Sequence, residues 1–174
     1  GSITGITADV FFNPRGGQLI VATRESLLAH SPHDGRVLGS TGVDASVSRL
    51  AFAPDGACFA AVGEDGATRL RRTSTFEVVH VARTSEVASV AVLPACAGLI
   101  VGTHTGELTR HRPGLTEAGE TLAAIAPSTS SRYGAHGGPL ALVGDATRLA
   151  VGVGEDVVIV DATSGEERAR AAGG

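Results

Sequence analysis

The sequence predicts an all-β chain made of four repeated antiparallel sheets, and three observations carry that prediction. A short apolar motif recurs four times, with Pro14, Pro54, Pro94 and Gly144 marking corresponding points 40, 40 and 50 residues apart. Within each copy the apolar residues recur mostly at every second position, which is the period of a strand and not of a helix. Each apolar stretch ends in residues that turn a chain, and glycine accounts for 24 of the 174 residues, about twice its usual share.

The first strand of each unit is read from Val10 and Phe12, Leu50 and Phe52, Val90 and Val92, and Leu140 and Leu142. A turn follows. Its clearest copy is Pro54-Asp55-Gly56, where Pro presets one backbone angle and Gly accepts a positive one. The second strand, Leu19–Ala22, Phe59–Val62, Leu99–Gly102 or Leu149–Gly152, is apolar on both faces, as burial between neighbouring sheets requires. A second turn comes at Arg24-Glu25, Glu64-Asp65-Gly66, His104-Thr105-Gly106 and Gly154-Glu155-Asp156. A third strand follows, for example Thr68–Arg72 and Val157–Asp161, and then a weaker fourth such as Phe76–Ala82. A single meander of this kind cannot bury both its faces, so consecutive units must stack.

Composition narrows the function classes. Hydrophobic residues make up 43% of the chain, charged residues 18% and aromatics 3%, with a formal charge of −4. That balance argues against disorder and against a basic surface for nucleic acid. The uncharged stretch 87–102 contains Pro94 and Gly98 and is too short for a membrane span, which needs about 20 apolar residues. Cys58 and Cys96 are too few for a disulfide framework and lie in no CxxC or zinc spacing, so a reducing, cytoplasmic location is expected. No cofactor motif is found: P-loop, GxSxG, HExxH and GxGxxG are all missing. His30 and His33 flank Pro32 with no carboxylate or Cys at a ligand spacing, and no metal is expected there.

These repeats resemble WD40-type β-propeller blades from about Asp9 onward. Val47–Gly56 and Ala60–Leu70 are similar to the family's first three strands, Val158–Gly165 to the end of its third strand and following turn, and His136 to its Gly-His position. The Trp-Asp pair is missing: Arg71-Arg72 stands there in the second unit, His111-Arg112 in the third, and only Asp161 remains in the fourth. The resemblance implies a β-propeller of four-stranded antiparallel blades, about four in this chain, roughly 9–46, 47–86, 87–137 and 138–174. Residues 1–8 read as a lead-in or tag remnant, because the chain starts Gly1-Ser2 and holds no Met. Propellers of this family commonly close with about seven blades within a range of about four to eight, so either the four blades close alone or, as is expected, the ring is completed by further sequence, by another chain or by a second copy.

In such a meander the second-to-third-strand turns and the blade-to-blade connections share one rim. That rim carries the candidate partner-binding residues Arg24, Glu25, Glu64, Asp65, His104, Thr105, Glu155 and Asp156, together with Arg132, Tyr133 and His136 in the longest connection. The plainer reading makes Asp65 and Asp156 turn residues that bond nearby amides, His136 a structural hydrogen-bonding group, and the connection a tolerated insertion. Arg69, Arg71 and Arg72 form the one dense positive run and read as a solvated face. The function expected is a non-catalytic scaffold binding a peptide or protein on this rim. The alternatives are an enzyme or ligand-binding propeller with a central-channel site, and a structural half-ring.

Overall fold

The computed structural model describes residues 9–114, 116–126, 137–143 and 146–172. They form four antiparallel sheets, each with its four strands in chain order. The first holds β1 (Asp9–Phe12), β2 (Leu19–Ala22), β3 (Ser26–His30) and β4 (Val37–Gly42). The second holds β5 (Val47–Phe52), β6 (Cys58–Gly63), β7 (Ala67–Arg72) and β8 (Val78–Arg83). The third holds β9 (Val87–Val92), β10 (Leu99–Thr103), β11 (Glu107–His111) and β12 (Glu120–Ala124), with a short 3-10 turn at Pro94–Cys96. The fourth holds β13 (Gly137–Val143), β14 (Arg148–Val153), β15 (Asp156–Asp161) and β16 (Glu167–Ala171).

The registers show that the units are equivalent. Phe12 pairs with Leu19, Phe52 with Phe59, Val92 with Leu99 and Leu142 with Leu149, the same rung in all four sheets. The second strands β6 and β10 are buried along their whole length, as their two-faced apolar pattern predicts. Phe76, expected in a fourth strand, instead lies in the turn before β8 with φ of 61° and its ring buried. It stands edge-on to Phe59 with ring centroids 6.1 Å apart, and burying that ring outweighs the cost of a left-handed backbone.

Three apolar cores lie between consecutive sheets. Ile20, Leu27, Leu50 and Phe59 join the first and second sheets, Leu70, Val92, Leu99 and Val101 the second and third, and Ile100, Leu108, Leu149 and Val158 the third and fourth. Side-chain alternation therefore gives each sheet a face toward its predecessor and a face toward its successor. Close approach is enforced at Gly165, whose φ is 76° and where an added Cβ would run into the Leu122 carbonyl of the preceding sheet.

The two outer sheets keep one face uncovered. Val90 and Val92 on β9, and Leu50 on β5, are buried against the preceding sheet, whereas their counterparts Val10 and Phe12 on β1 are exposed, Phe12 to 68%. On the far face of the fourth sheet Val157 is 48% exposed and Ala141 is also open. β5 packs beside β1, β9 beside β5 and β13 beside β9, and β13 makes no comparable contact with β1 among the described residues.

One covalent bond goes beyond what the two cysteines suggest in sequence. Cys58 on β6 and Cys96 in the 3-10 turn are joined as a disulfide, with Cα atoms 5.4 Å apart. It ties the second sheet to the third. Closing a loop across a separation of 38 residues is worth about 4 kcal/mol in the chain-entropy picture.

Candidate functional site

Backbone hydrogen bonds build the first rim in the same way three times. The Val43 amide donates to the Glu25 carbonyl (3.0 Å), the Glu64 amide to Ser46 (2.9 Å) and the His104 amide to Glu86 (3.3 Å). Each bond joins a second-to-third-strand turn to a blade connection, so the two sets of loops form one rigid edge. Side chains brace the turns. Thr23 Oγ1 accepts the Ser26 amide (3.0 Å), and the Thr103 and Thr105 hydroxyls lie 2.8 Å apart.

The candidate residues divide by what their side chains already do. Arg24, Glu25, Glu64, His104, Thr105 and Glu155 are exposed at the turns. Asp65 accepts the Ala67 amide (3.2 Å) and both Arg69 guanidinium nitrogens (3.2 and 2.7 Å), and these bonds hold its carboxyl down at about 2. Asp156 is only 3% exposed, and its Oδ2 receives Arg170 Nη1 at 3.0 Å. Arg170 also binds Glu167 and the Ala126 carbonyl, so Asp156 anchors β16 and is not presented at the edge. Arg132, Tyr133 and His136 lie outside the described residues.

The positive run on β7 is a solvated face only at Arg72. Arg69 is held by Asp65 and by Asp44 (3.3 Å), Arg72 lies 3.4 Å from Glu77, and Arg71 is buried with Nη1 donating to the Phe76 carbonyl at 2.9 Å. Burial next to Arg69 pushes the Arg71 guanidinium downward in pKa. Arg71 fills the third-strand rung where the Trp of the resembled family would stand. Equivalent rungs carry His30, whose Nδ1 donates to the Gly35 carbonyl (2.9 Å), and fully buried His111, whose Nε2 meets the hydroxyls of Thr109 (3.0 Å) and Thr84 (3.3 Å). Polar groups bonded to the adjoining turn or strand thus take the place of an indole.

The opposite rim holds a feature that sequence reasoning missed. A cleft of about 490 Å³ lies among the first-to-second-strand turns of three sheets, lined by Asn13, Arg15, Gln18, Arg72, Thr73 and Cys96 among others. Asn13 Nδ2 donates to the Gly56 carbonyl (3.3 Å), Gln18 Nε2 to the Thr73 carbonyl (3.2 Å), and Asp55 Oδ2 accepts the Ala95 amide (2.6 Å), so each turn is fastened to the next sheet. The one sequence signal was the recurring Asn-Pro, Ala-Pro and Leu-Pro before each turn, which marks a bend and says nothing about its neighbours. No group of three His, Cys, Asp or Glu among the described residues could hold a metal ion, and no helix among them is long and apolar enough to cross a membrane.

Four equivalent four-stranded meanders stacked face to face define a segment of a β-propeller. The solved β-propeller domain of Myceliophteria thermophila Cps50 (Swd1) is similar to this chain with a TM-score of 0.79 over 98% of its length, at 11% sequence identity. The chain spans 58% of the length of that domain. No protein-family model matches the sequence, and no curated protein matches it. The fold implied by the WD40-like repeats is therefore the fold the chain has, reached with almost no shared sequence.

Proposed function

We propose that the chain is a non-catalytic interaction scaffold that binds a peptide or protein partner on the rim of second-to-third-strand turns and blade connections. The observation that supports this most is the repeated backbone tie from turn to connection. It holds exposed Arg24, Glu25, Glu64, His104 and Thr105 on a rigid edge, where binding loops on a fixed framework are expected. A non-catalytic reading is further supported by the buried polar side chains, since Arg71, Arg110, His111 and Asp156 are each bonded within or between sheets. The β-propeller likeness adds an argument from fold alone. Quantitative affinity capture tests the reading. A variant carrying Arg24→Glu, Glu64→Lys and His104→Ala is expected to lose about tenfold in recovered partner, the effect of removing about 1.4 kcal/mol of binding. Unchanged recovery would retire it. Arg132→Ala with Tyr133→Ala tests the long connection in the same assay.

A second reading concerns the ring, and the uncovered apolar faces favour it. We infer that further blades, in the same polypeptide or in another chain or copy, cover Val10 and Phe12 on one side and Val157 on the other.

A further inference from the structure

Cys96 lines the wall of the cleft on the first-to-second-strand rim, while its bonded partner Cys58 is wholly buried in the core behind it. Cys96, 7% exposed, is thus the end of the disulfide nearer the cleft, and Cys58, with no exposure, the end away from it. The segment carrying Cys96 is strained, because Ala95 and Cys96 have φ of 54° and 58°, a region that residues with a Cβ rarely occupy. Two ties from the second sheet hold it there: the disulfide itself and the Ala95 amide on Asp55 Oδ2. Two arginines stand on the same cleft. Arg15 makes no salt bridge to a described residue, and Arg72 shares one exposed carboxylate, Glu77, at 3.4 Å. Asp55 accepts the Ala57 and Ala95 amides and lies within electrostatic reach of Arg15 without forming an ion pair, so it offsets part of that charge. A volume of about 490 Å³ falls in the range of small-ligand sites.

We propose that this cleft is a thiol-exchange site, which takes a small carboxylate-bearing thiol of the glutathione class and opens the Cys58–Cys96 bond from the Cys96 side. Arg15 and Arg72 attract the carboxylates and the thiolate. The thiolate attacks Cys96 Sγ, a new S–S bond forms there, the bond to Cys58 breaks, and its electron pair leaves on Cys58 Sγ, which takes a proton from water. A second thiolate attacks the small-molecule sulfur of the mixed disulfide, releasing the oxidised dimer and leaving Cys96 as a thiolate that is then protonated. The protein bond gains two electrons and two protons, and two small thiols become one disulfide. The strained turn then keeps the Asp55 bond as its remaining polar tie to the second sheet beside the apolar packing, so the cleft wall loosens at Cys96.

The test incubates the oxidised chain with glutathione at mildly alkaline pH, quenches by alkylation and maps the adducts by peptide mass spectrometry, with the carboxylate-free thiol 2-mercaptoethanol run in parallel. The glutathione adduct is expected first on Cys96, with Cys58 recovered as a thiol. Both thiols attack as anionic thiolates, and only glutathione adds carboxylates, so the double variant Arg15→Glu, Arg72→Glu is expected to slow the glutathione reaction about tenfold more than the 2-mercaptoethanol reaction. Both substituted residues are exposed, and the carboxylate-free thiol reports whether the seam is intact. A first adduct on Cys58, reaction only at urea concentrations that unfold the chain, equal effects of the double variant on both thiols, or two free thiols in the air-oxidised protein would each overturn the proposal.

Discussion

Arg110 brings a guanidinium into the seam between the third and fourth sheets, where it is 5% exposed and Nη2 donates to the Ala162 and Thr163 carbonyls. Replacing it with Met keeps the bulk and leaves two carbonyls without a donor. Arg110→Met is therefore expected to cost about 2 kcal/mol in urea unfolding, and a change within error would show that water serves those carbonyls equally well. Asp65 and Asp161 behave differently because they lie at turns. The Ser164 and Thr163 amides and Arg168 hold Asp161 at about 2, as the Arg69 and Ala67 bonds hold Asp65. A carboxyl lowered in the folded state contributes stability above its unfolded value near 4 that is lost as pH falls toward 2. Titration by carboxyl-carbon NMR is expected to show both still ionised at pH 3. Midpoints near 4 would remove the bonds from the account. The sequence made the turn role of Asp65 legible, since an Asp beside Gly bonds local amides. It could not show Asp156 buried, because the partner, Arg170, lies a strand away.

His80 on β8 and His111 on β11 face one another across the seam between the second and third sheets, with ring centroids 6.1 Å apart. Burial lowers both pKa values, and each His⁺ would raise the cost of the other. The groups around them are the Thr84 and Thr109 hydroxyls on His111 and Glu117 near both rings, Glu117 being paired with Arg83 (2.7 Å). A base lowered in the folded state leaves stability intact above its unfolded value near 6.5 and erodes it as pH falls below that. The melting temperature is expected to fall between pH 7 and pH 5, and His111→Gln is expected to flatten that slope. A slope unaltered by the substitution would place the acid sensitivity elsewhere. The strands themselves were legible, because period-two alternation and turn chemistry are local. The disulfide and this histidine pair were not, because each joins groups 38 and 31 positions apart that meet only when sheets stack.

Stacking gives every interior sheet two covered faces and leaves the outer two sheets with one each. Phe52 and Val92 show what the Phe12 position does when a preceding sheet is present, since they pack toward it, and Phe12 at 68% exposure shows the same position without one. The repeat arithmetic made this legible in advance, whereas the cleft was not, because it needs turns from three sheets at once. The most direct measurement of the stacked, open-ended array is sedimentation equilibrium of the chain beside Phe12→Asp and Val157→Asp variants. Covering of the free faces predicts concentration-dependent association by the parent chain and a shift toward monomer in both variants. A parent chain that stays monomeric over the whole concentration range, with the variants indistinguishable from it, would contradict the account.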